Sequence, residues 1–218
     1  VEWKKTGMAL AIEYDGVLMV EDSSVKDGKL GVYKTLSMGD NIRPVGEDVT
    51  CGQIIARAGD KISPALAALF LASGYSFVPV WSKPRTLYIP TGDEIVSGKT
   101  WLSEGAVCGK VVESNSTMLK AYFHRWGFPL DVTGPLPDDP QIIRKSILNG
   151  VEDYDLLLVG AGSAKGEKDY TSTILSEEGT MLFHWLLMKP GRPAMAAKVK
   201  GKPVVDLPGF PMSTAVVL

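Results

Sequence analysis

Three short apolar runs, each cut off by a turn rich in glycine or proline, constrain the fold of this 218-residue chain most. The runs read Leu87-Tyr88-Ile89, Leu156-Leu157-Leu158-Val159 and Pro203-Val204-Val205. The turns after them read Thr91-Gly92-Asp93-Glu94, Gly160-Ala161-Gly162-Ser163-Ala164-Lys165-Gly166 and Leu207-Pro208-Gly209-Phe210-Pro211. Short continuous apolar runs bounded by turn signals suit strands buried on both faces. Segments with helical spacing lie between them, and strand–helix alternation implies a mainly parallel sheet with helices on both faces. In such a sheet the carboxyl ends of the strands share one edge, where ligands bind. The three turns are therefore expected on a single ligand-facing edge.

The pattern divides the chain into three stretches. Residues 1–38 read as a β-rich segment, the end of a preceding domain, with strands at Met8–Ile12 and Gly16–Val20 and a hairpin signal at Lys26-Asp27-Gly28-Lys29. Residues 39–83 form an irregular and helical linking segment. Its helix is opened by Ser63-Pro64 and ended by Gly74. Residues 84–218 form the α/β domain, incomplete at its C-terminal end. There a strand is expected at Arg85–Ile89, then a helix from Ser114 or Ser116 to Gly127, with Phe123 and Trp126 in the core. Further strands fall at Leu130–Thr133, Asp155–Val159 and Pro203–Leu207. Helices follow Asp139-Pro140 up to Gly150, run over Thr171–Glu178, and start at Pro211. Both chain ends fall in mid-pattern, which reads as truncation.

Composition narrows the function classes. A net charge of −2 gives no general attraction to nucleic acid or anionic lipid. Met181–Met188 is too short to span a bilayer, and no signal peptide is visible, so the expected location is the cytoplasm. Two cysteines, Cys51 and Cys108, and two distant histidines, His124 and His184, give neither a disulfide framework nor a zinc spacing; structural roles suit the histidines.

Chemistry concentrates in the turns. Asp93 and Glu94 place carboxylates at a strand end, where they can hold Mg²⁺, accept from ring N–H groups or act as a base. The glycines of 160–166 allow close approach of backbone to a ligand, or simply make a tight turn. Asp169 suits an N-cap, and Asp138-Asp139-Pro140 a helix cap. Lys189-Pro190-Gly191-Arg192-Pro193 projects two cations from a backbone stiffened by two prolines, a compact receptor for an oxyanion.

In order and spacing these segments resemble the molybdopterin molybdenumtransferase family, the MoeA and gephyrin E-domain type. The matching words are Asn41–Asp48, Leu71–Gly74, Pro90–Ile95, Ser114–Ser116, Asp138–Pro140, Gly166–Thr171, Lys189–Pro193 and Leu207–Pro211. The resemblance implies insertion of molybdate into adenylylated molybdopterin with release of AMP, a requirement for Mg²⁺, and a homodimer. It implies that Lys189, Arg192, Pro193 and Ser213 cradle molybdate, and that Glu94, Asp138, Asp169 and Asp48 are functional acids. The pterin and nucleotide side then falls to Thr91, Gly92, Asp93, Gly160, Gly162, Ser163, Gly166, Pro208, Gly209 and Pro211, with Mg²⁺ on Asp93, Glu94 or Asp138. The sequence departs from the family at Ala164, where a serine is usual, and at Trp185 and Arg192, where lysines are usual. The alternatives are the related adenylyltransferase, which the Asn41–Asp48 word disfavours, and a non-catalytic pterin-binding or scaffold module.

Overall fold

The structure is a computed structural model that describes residues 2–160 and 170–218. The chain separates into two compact units, Val1–Val80 and Trp81–Leu218.

In the first unit the hairpin signal forms β1 (Ser23–Lys26) and β2 (Lys29–Val32), antiparallel neighbours. Asp27 and Gly28 take φ of 50° and 71°, the left-handed pair that a two-residue hairpin turn requires. Helix α1 (Pro64–Ala72) starts as its sequence dictates, with the Ser63 hydroxyl accepting from the Leu66 amide at 3.1 Å. Met8–Ile12 and Gly16–Val20 do not become strands. Instead the 15–17 backbone bonds to a turn, Val17 N–H donating to Asp40 O at 2.9 Å and Gly39 N–H to Asp15 O. An apolar run with no strand beside it has nothing to complete a ladder with.

The second unit runs β3 (Thr86–Pro90), β4 (Ile95–Val96), α2 (Gly98–Glu104), β5 (Val111–Val112), α3 (Asn115–Trp126) and β6 (Leu130–Val132). It continues with α4 (Pro140–Asp153), β7 (Leu156–Gly160), α5 (Tyr170–Glu178), β8 (Gly179–His184), β9 (Met195–Val199), β10 (Lys202–Leu207) and α6 (Pro211–Val217). Among the described residues six strands form one sheet in the order β6-β3-β7-β10-β9-β8. β6, β3, β7 and β10 are parallel, and β9 and β8 join antiparallel.

Alternation along the central strands separates two cores. On one face Leu87, Ile89, Leu157, Val159 and Val204 pack against Ile143, Ile147 and Val151 of α4 and Ile174 and Leu175 of α5. On the other, Tyr88, Leu158 and Leu207 meet Leu119 and Phe123 of α3, with Val217 of α6 beside them. Each buried aliphatic side chain contributes roughly 1.5–3 kcal/mol.

Two local expectations are corrected. Phe123 is core at 6% exposure, but Trp126 is 44% exposed. Gly150 does not end its helix. It lies inside α4, where a Cβ would come within 2.8 Å of Leu157 Cδ2, so its role is close packing. As the sequence implies, Gly179 follows the end of α5; it also opens edge strand β8, at a point where a Cβ would meet the Lys198 carbonyl oxygen at 2.4 Å.

At the amino-terminal edge of the sheet, Asp155 clamps three strands. Its Oδ2 accepts from the Arg85 amide at 2.9 Å and its Oδ1 from Lys202 Nζ at 2.9 Å. The Arg85 amide, and after it Lys202, hold this carboxyl below its ordinary pKa. A depressed folded-state pKa contributes stability above the unfolded value, near pH 4, that is lost as pH falls through the folded value. Asp155→Asn should therefore melt below the parent at pH 7, with the gap closing as the solution is acidified below about pH 4; melts at the two pH values test this.

Candidate functional site

Parallel pairing puts the starts of the three turns, at Thr91, Gly160 and Pro208, on one edge. Pro90 stands opposite Gly160, and Gly160 opposite Leu207, so the strands end level. The first turn is tied to the second: the Thr91 amide and hydroxyl both donate to Gly160 O, at 2.9 and 3.0 Å. Gly92 has φ 141°, and a Cβ there would lie 2.8 Å from Ile95 and 2.9 Å from Glu94 Oε2. Only glycine lets the Glu94 carboxylate fold back onto the turn.

Asp93 and Asp138 are joined reciprocally. The Asp138 amide donates to Asp93 Oδ1 at 3.1 Å and the Asp93 amide to Asp138 Oδ2 at 3.3 Å. Lys110 Nζ reaches the Asp93 carbonyl at 2.7 Å. Neighbouring Asp139 caps α4, accepting from the Gln141 and Ile142 amides at 2.8 and 3.1 Å. The cap thus falls to Asp139, and Asp138 staples the turn after β6 to the turn after β3.

Beside Gly160, Tyr88 is 2% exposed. A Cβ on Gly160 would lie 2.2 Å from its hydroxyl. Burial, and next the charge of Glu113, push the Tyr88 ionisation up, so the phenol stays neutral at physiological pH. The third turn is held from α3: Asn115 Nδ2 donates to Gly209 O at 2.9 Å, while the buried Thr214 hydroxyl donates to Pro208 O. Asn115 Oδ1 is buried and has no hydrogen-bond partner among the described residues. Sequence reasoning missed Tyr88 and Thr214 as parts of this frame; Asn115 was visible only as the centre of Ser114-Asn115-Ser116.

The cationic loop reaches the same edge by a different route. Strand β9 runs antiparallel to β10 with Met195 opposite Asp206, and His184 of β8 is opposite Met195. The loop from Trp185 to Ala194 therefore leaves the sheet where the parallel strands end. Buried Gly191, at φ 109°, would place a Cβ 2.7 Å from Val217 of α6, so the loop packs on the helix that carries Ser213. Lys189 and Arg192 are exposed, and Pro193 and Ser213 are partly buried.

In the first unit Asp48 accepts from Arg43 Nη2 at 3.1 Å, and Glu47 from Arg43 Nε at 2.9 Å. They line a polar cavity of about 450 Å³ that also includes Cys51, Gln53 and Tyr75. Gly162, Ser163, Gly166 and Asp169 lie outside the described residues. His124 and His184 are exposed rather than packed, with His184 Nε2 at 3.4 Å from Ser172 Oγ. Among the described residues no three of His, Cys, Asp and Glu converge as a metal site, and no helix is long and apolar enough to cross a membrane.

A mainly parallel sheet that gathers carboxylates, a glycine turn, a helix start and a cationic loop on one edge defines an α/β ligand-binding domain. Residues 88–218 match the family model of a probable molybdopterin binding domain, and residues 5–74 the MoeA N-terminal region, domains I and II. A molybdopterin molybdenumtransferase of Haemophilus influenzae is 27% identical, covering 97% of this chain and 52% of its own length. The molybdenum cofactor synthesis protein cinnamon of Drosophila melanogaster is 32% identical, over 97% and 35% respectively. The crystal structure of a molybdopterin biosynthesis MoeA protein from Pyrococcus horikoshii superposes with a TM-score of 0.66 at 29% identity, covering 92% of this chain and 47% of that one. The chain belongs to the MoeA and gephyrin type of molybdopterin molybdenumtransferase family. It spans about half the length, or less, of the curated relatives it matches.

Because Tyr88 has no room to retreat, Gly160→Ala should destabilise the second unit by about 1–3 kcal/mol and disturb the Thr91–Gly160 tie. Denaturant unfolding checks the stability, and an unchanged midpoint would show that the ring can move.

Proposed function

We propose that this chain is the central portion of a cytoplasmic, homodimeric enzyme that inserts molybdate into adenylylated molybdopterin and releases AMP. One observation carries the reading. The antiparallel return of β9 starts the loop that carries Lys189, Arg192 and Pro193 at the sheet edge where Asp93, Glu94 and Asp138 follow β3 and β6. A tetrahedral dianion calls for a compact cationic receptor, and an adenylylated pterin for a long groove with backbone turns that admit phosphate and ring edges.

In this reading Lys189, Arg192, Pro193 and Ser213 take molybdate. Thr91, Gly92, Gly160, Gly162, Ser163, Gly166, Pro208, Gly209 and Pro211 shape the pterin and nucleotide side. Glu94, Asp138 and Asp169 orient the substrate and exchange its protons, with Asp48 a further acid from the first unit. The domain reading keeps residues 1–38 and 39–83 as two segments preceding the α/β domain at 84–218. In this reading Mg²⁺ falls to Asp93, Glu94 or Asp138, because Asp93 and Asp138 are held together by reciprocal hydrogen bonds and Mg²⁺ is commonly held by one or two carboxylates together with substrate phosphates. Bound there, it would offset phosphate charge.

The test is AMP release from adenylylated molybdopterin by the full-length protein, with and without molybdate. Molybdate-dependent release supports the reading, and intact pterin binding without release replaces it with the non-catalytic module. Lys189→Ala should raise the molybdate concentration for half-maximal release by about tenfold or more, as expected for loss of a hydrogen bond to a charged group.

A further inference from the structure

The loop between β8 and β9 contains an aromatic residue in a costly conformation. Trp185 has φ 68°, a left-handed backbone that bulky side chains rarely adopt, and its indole is 51% exposed. Two backbone bonds fix it there: the Trp185 amide donates to Ala194 O at 3.1 Å, and the Leu186 amide to Arg192 O at 2.9 Å. The Arg192 guanidinium carbon lies 5.2 Å from the indole centroid. On the adjoining side the His184 ring centroid is 5.5 Å away, and His184 reaches Ser172 Oγ at 3.4 Å.

An arginine with a purely structural task is usually paired to a carboxylate, which uses its N–H fork. Among the described residues no carboxylate forms an ion pair with Arg192 or Lys189. The partner of Arg192 is an aromatic face, which attracts the cation electrostatically but accepts no in-plane hydrogen bond. Its five N–H donors therefore stay available, in a planar fork that suits two oxygens of one anion.

We propose that Trp185 is a positioning residue: its ring holds the Arg192 guanidinium so that the fork receives two oxygens of a tetrahedral oxyanion at once. The inference rests on the oxyanion reading of the Lys189–Pro193 loop. It makes Arg192 the element that recognises shape and Lys189 a point charge. The left-handed backbone at Trp185 is what turns the indole toward Arg192.

The experiment measures molybdate binding to the full chain by calorimetry, with thermal melts to confirm folding. Trp185→Phe should bind within about twofold of the parent, because it keeps a ring face, and Trp185→Leu should bind about three- to fivefold more weakly. Molybdate should change the tryptophan emission of the parent and not that of Trp185→Phe. Arg192→Lys keeps the charge and loses the fork; it should weaken binding, and adding Trp185→Leu to it should cost little more, as expected for two residues acting as one unit. Parent-like affinity in Trp185→Leu, additive losses in the double variant, or equal weakening by Phe and Leu would each overturn the proposal. If Trp185→Leu does not fold, the Phe emission measurement and the Arg192→Lys comparison decide: a molybdate response surviving in Trp185→Phe, or parent affinity in Arg192→Lys, overturns it. Loss of affinity in Lys189→Ala with none in Trp185→Leu would sink the stacking role alone. Absence of molybdate binding by the parent would remove the oxyanion reading itself, and this proposal with it.

Discussion

The lateral pairing of β3, β7 and β10 is the constraint on which the site depends. These strands must be parallel and must end level for Thr91, Gly160 and Pro208 to begin their turns side by side. Two interactions enforce that level ending. The Gly160 carbonyl receives both Thr91 donors, which locks β3 to β7 at their last residues. The Tyr88 hydroxyl lies directly under the Gly160 Cα, so the backbone of β7 comes down onto β3 only because position 160 has no side chain. A slip of one residue between these strands would exchange Leu157 and Val159 for Leu158 across the sheet and bring the wrong face to each helix layer. Core packing and site geometry are therefore set by the same register.

The frame beneath the edge contains the neutral polar groups of Tyr88, Asn115 and Thr214, with the Asp206 carboxyl of β10 also buried there. Tyr88, Asn115 and Thr214 are buried, and they tie α3 and the turn before α6 to the sheet through hydroxyl and amide bonds. Buried polar groups of this kind hold turns in place without the desolvation cost of a buried charge. Asp93, Asp138, Lys189 and Arg192 remain exposed, where a ligand can meet them. The first unit has a different character. Phe70 is its one buried large apolar side chain among the described residues, and its order comes mainly from turns, one hairpin and one short helix.

Much of this was legible in the sequence wherever local chemistry acts alone. The Asp27-Gly28 turn, the Ser63-Pro64 and Asp139-Pro140 helix starts, and the apolar runs of β3, β7 and β10 each follow from propensity and pattern. What escaped depended on distant partners. β8 and β9 were not foreseen because their residues alternate poorly and their pairing is set by β10, not by their own composition. Gly150 reads as a helix stop in one dimension, and only the closeness of Leu157 shows that it is a packing glycine. Trp126 follows the helical period of Phe123, yet it lines an open cavity with Thr86 and Leu156 and stays 44% exposed. The Asp93–Asp138 reciprocity joins residues 45 apart in sequence, so no local rule could separate the stapling Asp138 from the capping Asp139.

On the proposed reading, the strand order also bears on the length of the ligand. The carboxylates stand at the end of β3, whereas the cationic loop leaves from β9, which is three strand spacings away in the order β3-β7-β10-β9. At about 4.8 Å per spacing, the two strand ends are on the order of 14 Å apart. A single tetrahedral ion cannot touch both. An elongated anion laid across the strand ends can, meeting carboxylates and any bound cation at one end, glycine and proline turns in the middle, and Lys189 with Arg192 at the other. The opposite signs at the two ends also give such a ligand a direction. In the reading proposed above, its cation-binding part lies over β3 and its oxyanion-reacting part over the β8–β9 loop, because the exposed Lys189 and Arg192 attract an oxyanion and the carboxylates attract a cation.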